Sequence, residues 1–393
     1  MSLSGHIQSM PVAGAGTREA VPPLPGHHVY SLRPAHARGR GGSVPLDPVV
    51  ACTLALGALH WRKHTGPMRL YADSEFAAFI HSLDLGWIYD AGIDTAVLNT
   101  MPDSIRYDTF WVAPKIFAYR AAALPAAFLD VDLVVWKAVV NWAEFDVTFL
   151  HREFTERADG TGYAVPSGYN RPAYPWDGEE FNSGFFILNN DDIRKEFTTE
   201  ATRFMTGNPG DDPFNHACFA EQYLLAQCAK ARSARTLSLL SAPPHDESVV
   251  THLWGDKQKL REQPVRAWAL VNRYTAALKR DFPDHAPGLG RLFAWALSTS
   301  ESAARTAQNQ RRKSPEMLRA AGSAMRGGSR AAPTGEFAFP RRRGSSAGAA
   351  SGNPQFARRK RPADLGTAVN FSRHPRVAAT PEAPNRPAKM RSA

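Results

Sequence analysis

Cysteine is scarce in this 393-residue chain: Cys52, Cys218 and Cys228 are the only three, and no two form a Cys-x-x-Cys pair. That spacing excludes a zinc ribbon and offers no disulfide framework, so reduced thiols and a cytoplasmic location are the expectation. Long apolar runs are also lacking. The longest, Val49 to Leu59, includes Thr53 and Gly57 and falls well short of the ~20 residues a helix needs to cross a bilayer. Residues 1–26 lack the charged-then-apolar layout of a secretory signal. They are rich in Pro, Gly and Ala and read as a disordered leader, a composition that a specialised secretion machine can also use. Basic charge is in deficit through most of the chain. Of the 47 Lys+Arg and 37 Asp+Glu, 19 and 5 lie in residues 301–393, leaving 28 and 32 in residues 1–300. A mildly acidic body argues against a basic nucleic-acid groove, and any weak contact with an anionic surface falls to the tail.

Residues 27–300 hold enough aromatic and aliphatic side chains for a substantial core. The run His28-Val-Tyr-Ser-Leu32 reads as a strand, followed by a Gly/Arg loop, Arg38 to Ser43. A helix is expected over Pro48–His64, with Leu54, Ala58 and Trp61 on its apolar face. Met68–Ala72 reads as a strand ending at the helix-capping pair Asp73-Ser74, with a helix over Glu75–Leu83 and a strand at Trp87-Ile-Tyr89. Alternating strands and helices imply an α/β fold, a mostly parallel sheet covered on both faces. Residues 301–393, rich in Arg, Ala, Gly, Ser and Pro, read as a disordered basic tail.

Ala126 to Trp136 contains Phe-Leu-Asp130-Val-Asp132, an apolar run ending in two carboxylates where α/β sheets build their sites. Extended residues two apart share a side, roughly 6–7 Å apart, so both can address one hard divalent cation. Asp-x-Asp pairs also occur in turns and caps without metal. Phe181-Asn182-Ser183-Gly184 leads into an apolar strand; its Gly allows close backbone approach, and Asn182 and Ser183 offer hydrogen bonds to a polyhydroxylated ligand. A tight turn before a buried strand has the same pattern. In Thr251-His252-Leu-Trp-Gly255-Asp-Lys257 a histidine precedes a Gly and a Lys, which can hold a metal and a phosphate together, although a lone histidine is often structural.

In order, Lys115, Asp130-Val-Asp132, Phe181-Asn-Ser-Gly184, Glu221-Gln222 and His252-x-x-Gly255-x-Lys257 resemble the retaining GT-A glycosyltransferases of the glycogenin and bacterial galactosyltransferase type, over roughly residues 29–259. The resemblance implies a Rossmann-like nucleotide-diphospho-sugar transferase fold. It implies metal ligands Asp130, Asp132 and His252 for Mn²⁺, with Mg²⁺ as the substitute, and donor contacts from Lys115, Asp130, Asn182, Ser183, Gly255 and Lys257. Asn182 would face the sugar, and Glu221-Gln222 would lie near the anomeric carbon. The donor implied is a UDP-hexose and the acceptor an unspecified glycan, lipid or protein. Family members read His-x-x-Gly-x-x-Lys-Pro, so Lys257 comes one residue early and Lys259 one late.

The chemistry fits the residue types. A divalent ion and a lysine neutralise a departing diphosphate, and an imidazole ligand favours Mn²⁺ over Mg²⁺. Two alternatives stand beside it. Phe128-Leu-Asp130-Val-Asp132-Leu-Val134 also resembles the first motif of haloacid-dehalogenase-type phosphatases, with Asp130 as nucleophile, Asp132 as acid/base and Gly210-Asp-Asp212 as the late acidic motif. A non-catalytic binding protein would instead act through Arg341-Arg-Arg343 and Arg358-Arg-Lys-Arg361.

Overall fold

A computed structural model describes residues 22–37, 45–154, 169–170, 172–207, 212–241, 249–253 and 256–327. In chain order the strands are β1 (Gly26–Tyr30), β2 (Met68–Ala72), β3 (Ile93–Asp94), β4 (Ala126–Leu129), β5 (Leu133–Val135) and β6 (Val147–Phe149). They continue as β7 (Arg152–Phe154), β8 (Glu179–Phe181), β9 (Phe185–Leu188), β10 (Thr236–Ser238) and β11 (Val250–His252). The helices are α1 (Arg33–Ala37), α2 (Pro48–His64), α3 (Ser74–Ser82), α4 (Ala96–Asn99), α5 (Ala113–Ala121) and α6 (Asp191–Gly207). After them come α7 (Pro213–Cys218), α8 (Leu224–Ala231), α9 (Asp256–Glu262), α10 (Pro264–Asp281) and α11 (Gly290–Gly327).

Strict alternation builds the central layer. In β4, Ala127 and Leu129 enter one apolar cluster with α2, α10 and α11, while Ala126 and Phe128 enter a second with α5, α6 and α8. Phe185 and Ile187 of β9 divide from Phe186 and Leu188 in the same way, as the two-residue period of a strand requires. The sheet has seven strands in the order β10-β6-β9-β4-β1-β2-β3. Its pairings are parallel except those of β9, which runs antiparallel to β4 and β6. The expected α/β fold, mostly parallel and covered on both faces, is present. Strand order reverses between β1, which leads on to β2, and β4, and such a switch point opens a crevice at the strand ends.

Two Asp caps set up this crevice. Asp47 accepts from Val49 N at 2.9 Å and opens α2 ahead of Pro48. Asp73 accepts from Phe76 N at 2.8 Å to cap α3, and its second oxygen accepts from Ser31 Oγ and Leu32 N at 2.7 and 2.6 Å. Because Leu32 N is taken in this way, β1 ends at Tyr30 rather than Leu32. Its start also lies earlier than expected: Leu24 is fully buried and its carbonyl accepts from Trp61 Nε1 at 3.1 Å, so the ordered body begins before residue 27.

Trp87-Ile-Tyr89 is not a strand. Asp84 at φ 61° turns the chain into a 3₁₀ turn over Gly86–Ile88, and the edge strand forms at Ile93–Asp94. The boundary expected at residue 300 is also corrected: α11 runs unbroken through it, with Ser300 and Ala304 buried. From residue 301 to Gly327 its sequence holds six Ala and five Arg, both good helix formers. The chain divides into units of residues 1–329 and 330–393. The second unit, with both Arg runs, lies outside the described residues, as do the leader through residue 21 and the Gly/Arg loop. Among the described residues no helix is long and apolar enough to cross a membrane.

Candidate functional site

Two pairings bring the distant motifs together. The β4–β9 register pairs Leu129 with Phe185, and one step further Asp130 N donates to Gly184 O at 2.8 Å. The Asn-Ser-Gly turn thus sits beside the Asp-x-Asp. The short antiparallel ribbon β5–β11 pairs Leu133 with His252, and Leu253 N donates to Asp132 O at 3.1 Å. A three-residue pairing therefore carries His252 across 120 positions of chain.

His252 Nε2 lies 3.7 Å from Asp130 Oδ2 and 3.7 Å from Asp132 Oδ2. One ligand atom from each of the three residues falls within 4.8 Å of the others. His252 Nδ1 and Ser183 Oγ are buried without a hydrogen-bond partner among the described residues. Buried polar atoms normally have partners. Two carboxylates and an imidazole whose ligand atoms lie within 4.8 Å of one another are a donor set that fits a divalent metal ion. Gly184 is required by space: a Cβ there would come 2.5 Å from His252 Cε1 and 3.1 Å from Asn182 Oδ1.

Two lysines flank the cluster. Lys115, on α5, reaches Asp130 Oδ1 at 2.5 Å and Glu221 Oε1 at 2.8 Å. Lys257, at the start of α9, lies 2.9 Å from Asp132 Oδ2, within ion-pair range. Burial opposes the charge on Asp130, but Lys115, His252 and Lys257 outweigh it and hold the carboxyl well below the usual range. Burial likewise opposes the Lys115 ammonium, and Asp130 and Glu221 overcome it and raise its pKa. Glu221 is raised, first by burial and then by the charge of Asp130, against the pull of Lys115. The Tyr30 hydroxyl at the end of β1 is pushed up to about 12 by burial and by Asp132, so β1 also ends at this cluster.

The expected residues divide as follows. Asp130, Asp132, His252, Lys115, Glu221, Lys257 and the Asn182-Ser183-Gly184 turn converge. Lys259 does not, being exposed and paired with Asp256 at 3.0 Å. Gln222 is half-buried on the π-helical turn Phe219–Tyr223 that carries Glu221, and makes no ion pair or side-chain hydrogen bond with another described residue. Gly255 lies outside the described residues. Asn182 is buried, and its amide is held from both ends: Oδ1 accepts from Gly184 N at 3.0 Å and Nδ2 donates to Glu153 Oε1 at 2.6 Å.

Sequence reasoning missed three neighbours. Tyr119, one helical turn after Lys115 on α5, donates to Glu221 Oε1 at 2.7 Å; the i, i+4 spacing is its only signal. His151 and Glu153 flank the start of β7, and His151 Nε2 meets Glu153 Oε1 at 2.9 Å. Their signal is alternation, His151-x-Glu153 against Glu180-x-Asn182.

No protein-family model matches the chain and no curated protein matches it. Solved structures overlap it in part. A bifunctional glycosyltransferase, WbbM, is 12% identical over 55% of this chain and 38% of its own, with a TM-score of 0.30. A nucleoside-diphosphate-sugar pyrophosphorylase from Vibrio cholerae RC9 is 11% identical over 58% and 95%, at 0.31. The glycosyltransferase GlyE of Streptococcus pneumoniae TIGR4 is 12% identical over 55% and 45%, at 0.29. The chain spans less than half the length of these two glycosyltransferases. Overlaps of this extent assign neither family nor activity.

Proposed function

We propose that this chain is a divalent-metal-dependent glycosyltransferase that moves a hexosyl group from a nucleotide sugar, UDP-linked, to a hydroxyl acceptor with retention of configuration. The observation that carries the reading is the convergence of Asp130, Asp132 and His252 within 4.8 Å, flanked by two lysines. It stands at the strand-end crevice where α/β sheets bind ligands. Asp130, Asp132 and His252 would hold the ion, Mn²⁺ in preference to Mg²⁺. Bound there, it would supply Lewis-acid stabilisation of the leaving diphosphate. Lys257, with its side chain 44% exposed, is free to swing from Asp132 to a phosphate. Lys115 is not, because it is buried between two carboxylates and acts by fixing Asp130. Asn182, Ser183 and Gly184 form the wall that would face the sugar, and Glu221 with Gln222 would lie at its reacting carbon. The departing phosphate oxygen can accept the acceptor proton on the same face, so no strong protein base is needed.

One observation weighs against the phosphatase alternative. Its late acid would come from Gly210-Asp-Asp212, but Asp212 caps α7, accepting from Asn215 N at 3.4 Å; residues 210 and 211 lie outside the described residues. The test is nucleoside diphosphate release from a panel of nucleotide sugars with Mn²⁺. Release from a UDP-hexose, abolished by chelator and by Asp132→Asn in a folded protein, is expected. No release from any donor, together with hydrolysis of a phosphate monoester that is lost in Asp130→Asn, would establish the phosphatase instead.

A further inference from the structure

We propose that Glu153 is a positioning residue that locks the Asn182–Gly184 turn against the metal cluster, so that the edge ribbon β7–β8 governs metal affinity. This rests on the metal reading above. In β7–β8, Glu153 pairs with Glu180 and Arg152 with Phe181; the next pair outward joins His151 and Asn182, with Asn182 N donating to His151 O at 3.0 Å. Directly opposed residues of an antiparallel pair share a face, and so do residues two apart. One face of the ribbon therefore carries His151, Glu153, Glu180 and Asn182. Phe181 points the other way and stacks on Phe149.

On that polar face a single oxygen, Glu153 Oε1, meets both His151 Nε2 at 2.9 Å and Asn182 Nδ2 at 2.6 Å. Burial opposes the Glu153 charge, and His151 and Asn182 outweigh it, so the carboxylate is held ionised. The contact decides which end of the Asn182 amide faces inward. With Nδ2 bound to Glu153, Oδ1 is left to accept from Gly184 N at 3.0 Å. Gly184 in turn holds Asp130 N through its carbonyl and backs the His252 ring at a spacing that admits no Cβ. A flipped amide would set its NH₂ against Gly184 N–H and loosen the segment touching two of the three ligands. Partners behind the ligands orient them in this way, and their loss usually lowers metal affinity 10- to 100-fold.

The experiment is Mn²⁺ binding to the full chain, followed by the paramagnetic resonance of free ion and without any donor, beside the thermal transition. Glu153→Ala should weaken Mn²⁺ binding about tenfold or more. Glu153→Gln, which keeps an accepting oxygen, should stay within about threefold. Asn182→Asp sets two carboxylates against each other and should lose affinity, and adding Glu153→Gln to it should recover most of the loss, because the Gln amide then donates to the new carboxylate. That reciprocal rescue decides the matter even if Glu153→Ala does not fold. A parent that binds Mn²⁺, with Glu153→Ala folded and of equal affinity or with no rescue in the double variant, overturns the positioning role alone. A parent that binds no Mn²⁺ overturns the metal reading beneath it.

Discussion

Gly184→Ala tests the site through a single methyl group. The new Cβ would lie 2.5 Å from His252 Cε1, 3.0 Å from its Nδ1 and 3.1 Å from Asn182 Oδ1. Carbon atoms in good contact sit about 3.5–4.0 Å apart, so the imidazole must retreat by at least about 1 Å. It cannot retreat freely, because its side chain is 3% exposed and its backbone is clamped by the β5–β11 ladder. The strain falls in the range of about 1–3 kcal/mol typical of an overpacked interior, lowering the thermal transition by several degrees. The ring shift also carries Nε2 away from the two carboxylates, now 3.7 Å from each. The expected loss of Mn²⁺ affinity is about 10- to 100-fold, as for other displaced ligands. Titration calorimetry with Mn²⁺ and a melting curve read the two effects separately. A variant that binds Mn²⁺ like the parent would show that His252 does not ligate from this position, and the three-ligand site would fall with it.

The lysines and the buried histidines give two further tests. Lys257→Ala should weaken UDP-sugar binding by about 1.5–3 kcal/mol, the scale of a charge-assisted contact, while Lys259→Ala, engaged with Asp256 at the surface, should bind like the parent; equal behaviour of the two would remove Lys257 from the donor site. His27 and His28, adjacent on β1, are held neutral by burial, with pKa values lowered to about 4 and about 3. Their contribution is complete above pH 6.5 and declines as pH falls, because the unfolded chain takes up protons that the folded one refuses. At pH 5 the loss is at most about 2 kcal/mol for each. Urea unfolding at pH 7 and pH 5 should register it, and His27→Phe should flatten the difference; an unchanged pH dependence would refute the assignment.

What could be read from the residues was local. Pro48–His64 is a helix at the predicted ends because Asp47, Pro48 and the basic last turn mark them. Asp130-Val-Asp132 follows a buried strand because its apolar run can do little else. Trp87-Ile-Tyr89 misled because three apolar residues fit a strand or a buried turn equally, and the left-handed Asp84 before them leaves no signal in composition. The arrest at residue 300 failed for a related reason: Ala- and Arg-rich sequence looks poor in core residues yet is good helix sequence. Within the site, the order of motifs pointed to Asp130, Asp132 and His252. Glu153 and Tyr119 stayed hidden, since their meaning comes from register: β7 against β8, and α5 against the π-helical turn. The spacing within each segment is compatible with these contacts but does not name the partner.

The carboxylates also explain why two lysines belong to this place. Asp132 and Glu221 are almost wholly buried and Asp130 mostly so, and buried charges persist only when paired. Lys115 answers two of them at once, and its burial between them fixes it there. Lys257 answers the third from the surface, on Asp132 Oδ2, the same oxygen that faces His252. A divalent ion shared by Asp130, Asp132 and His252 would compete with the Lys257 ammonium for that oxygen, and two cations repel strongly at such a range. Lys257 would then need a new anionic partner, which a diphosphate beside the ion supplies. Under the proposed function, the same arrangement that keeps the cluster folded would tie metal and donor together: each would make room for, or be held by, the charge the other brings, and that mutual dependence would be equal in both directions.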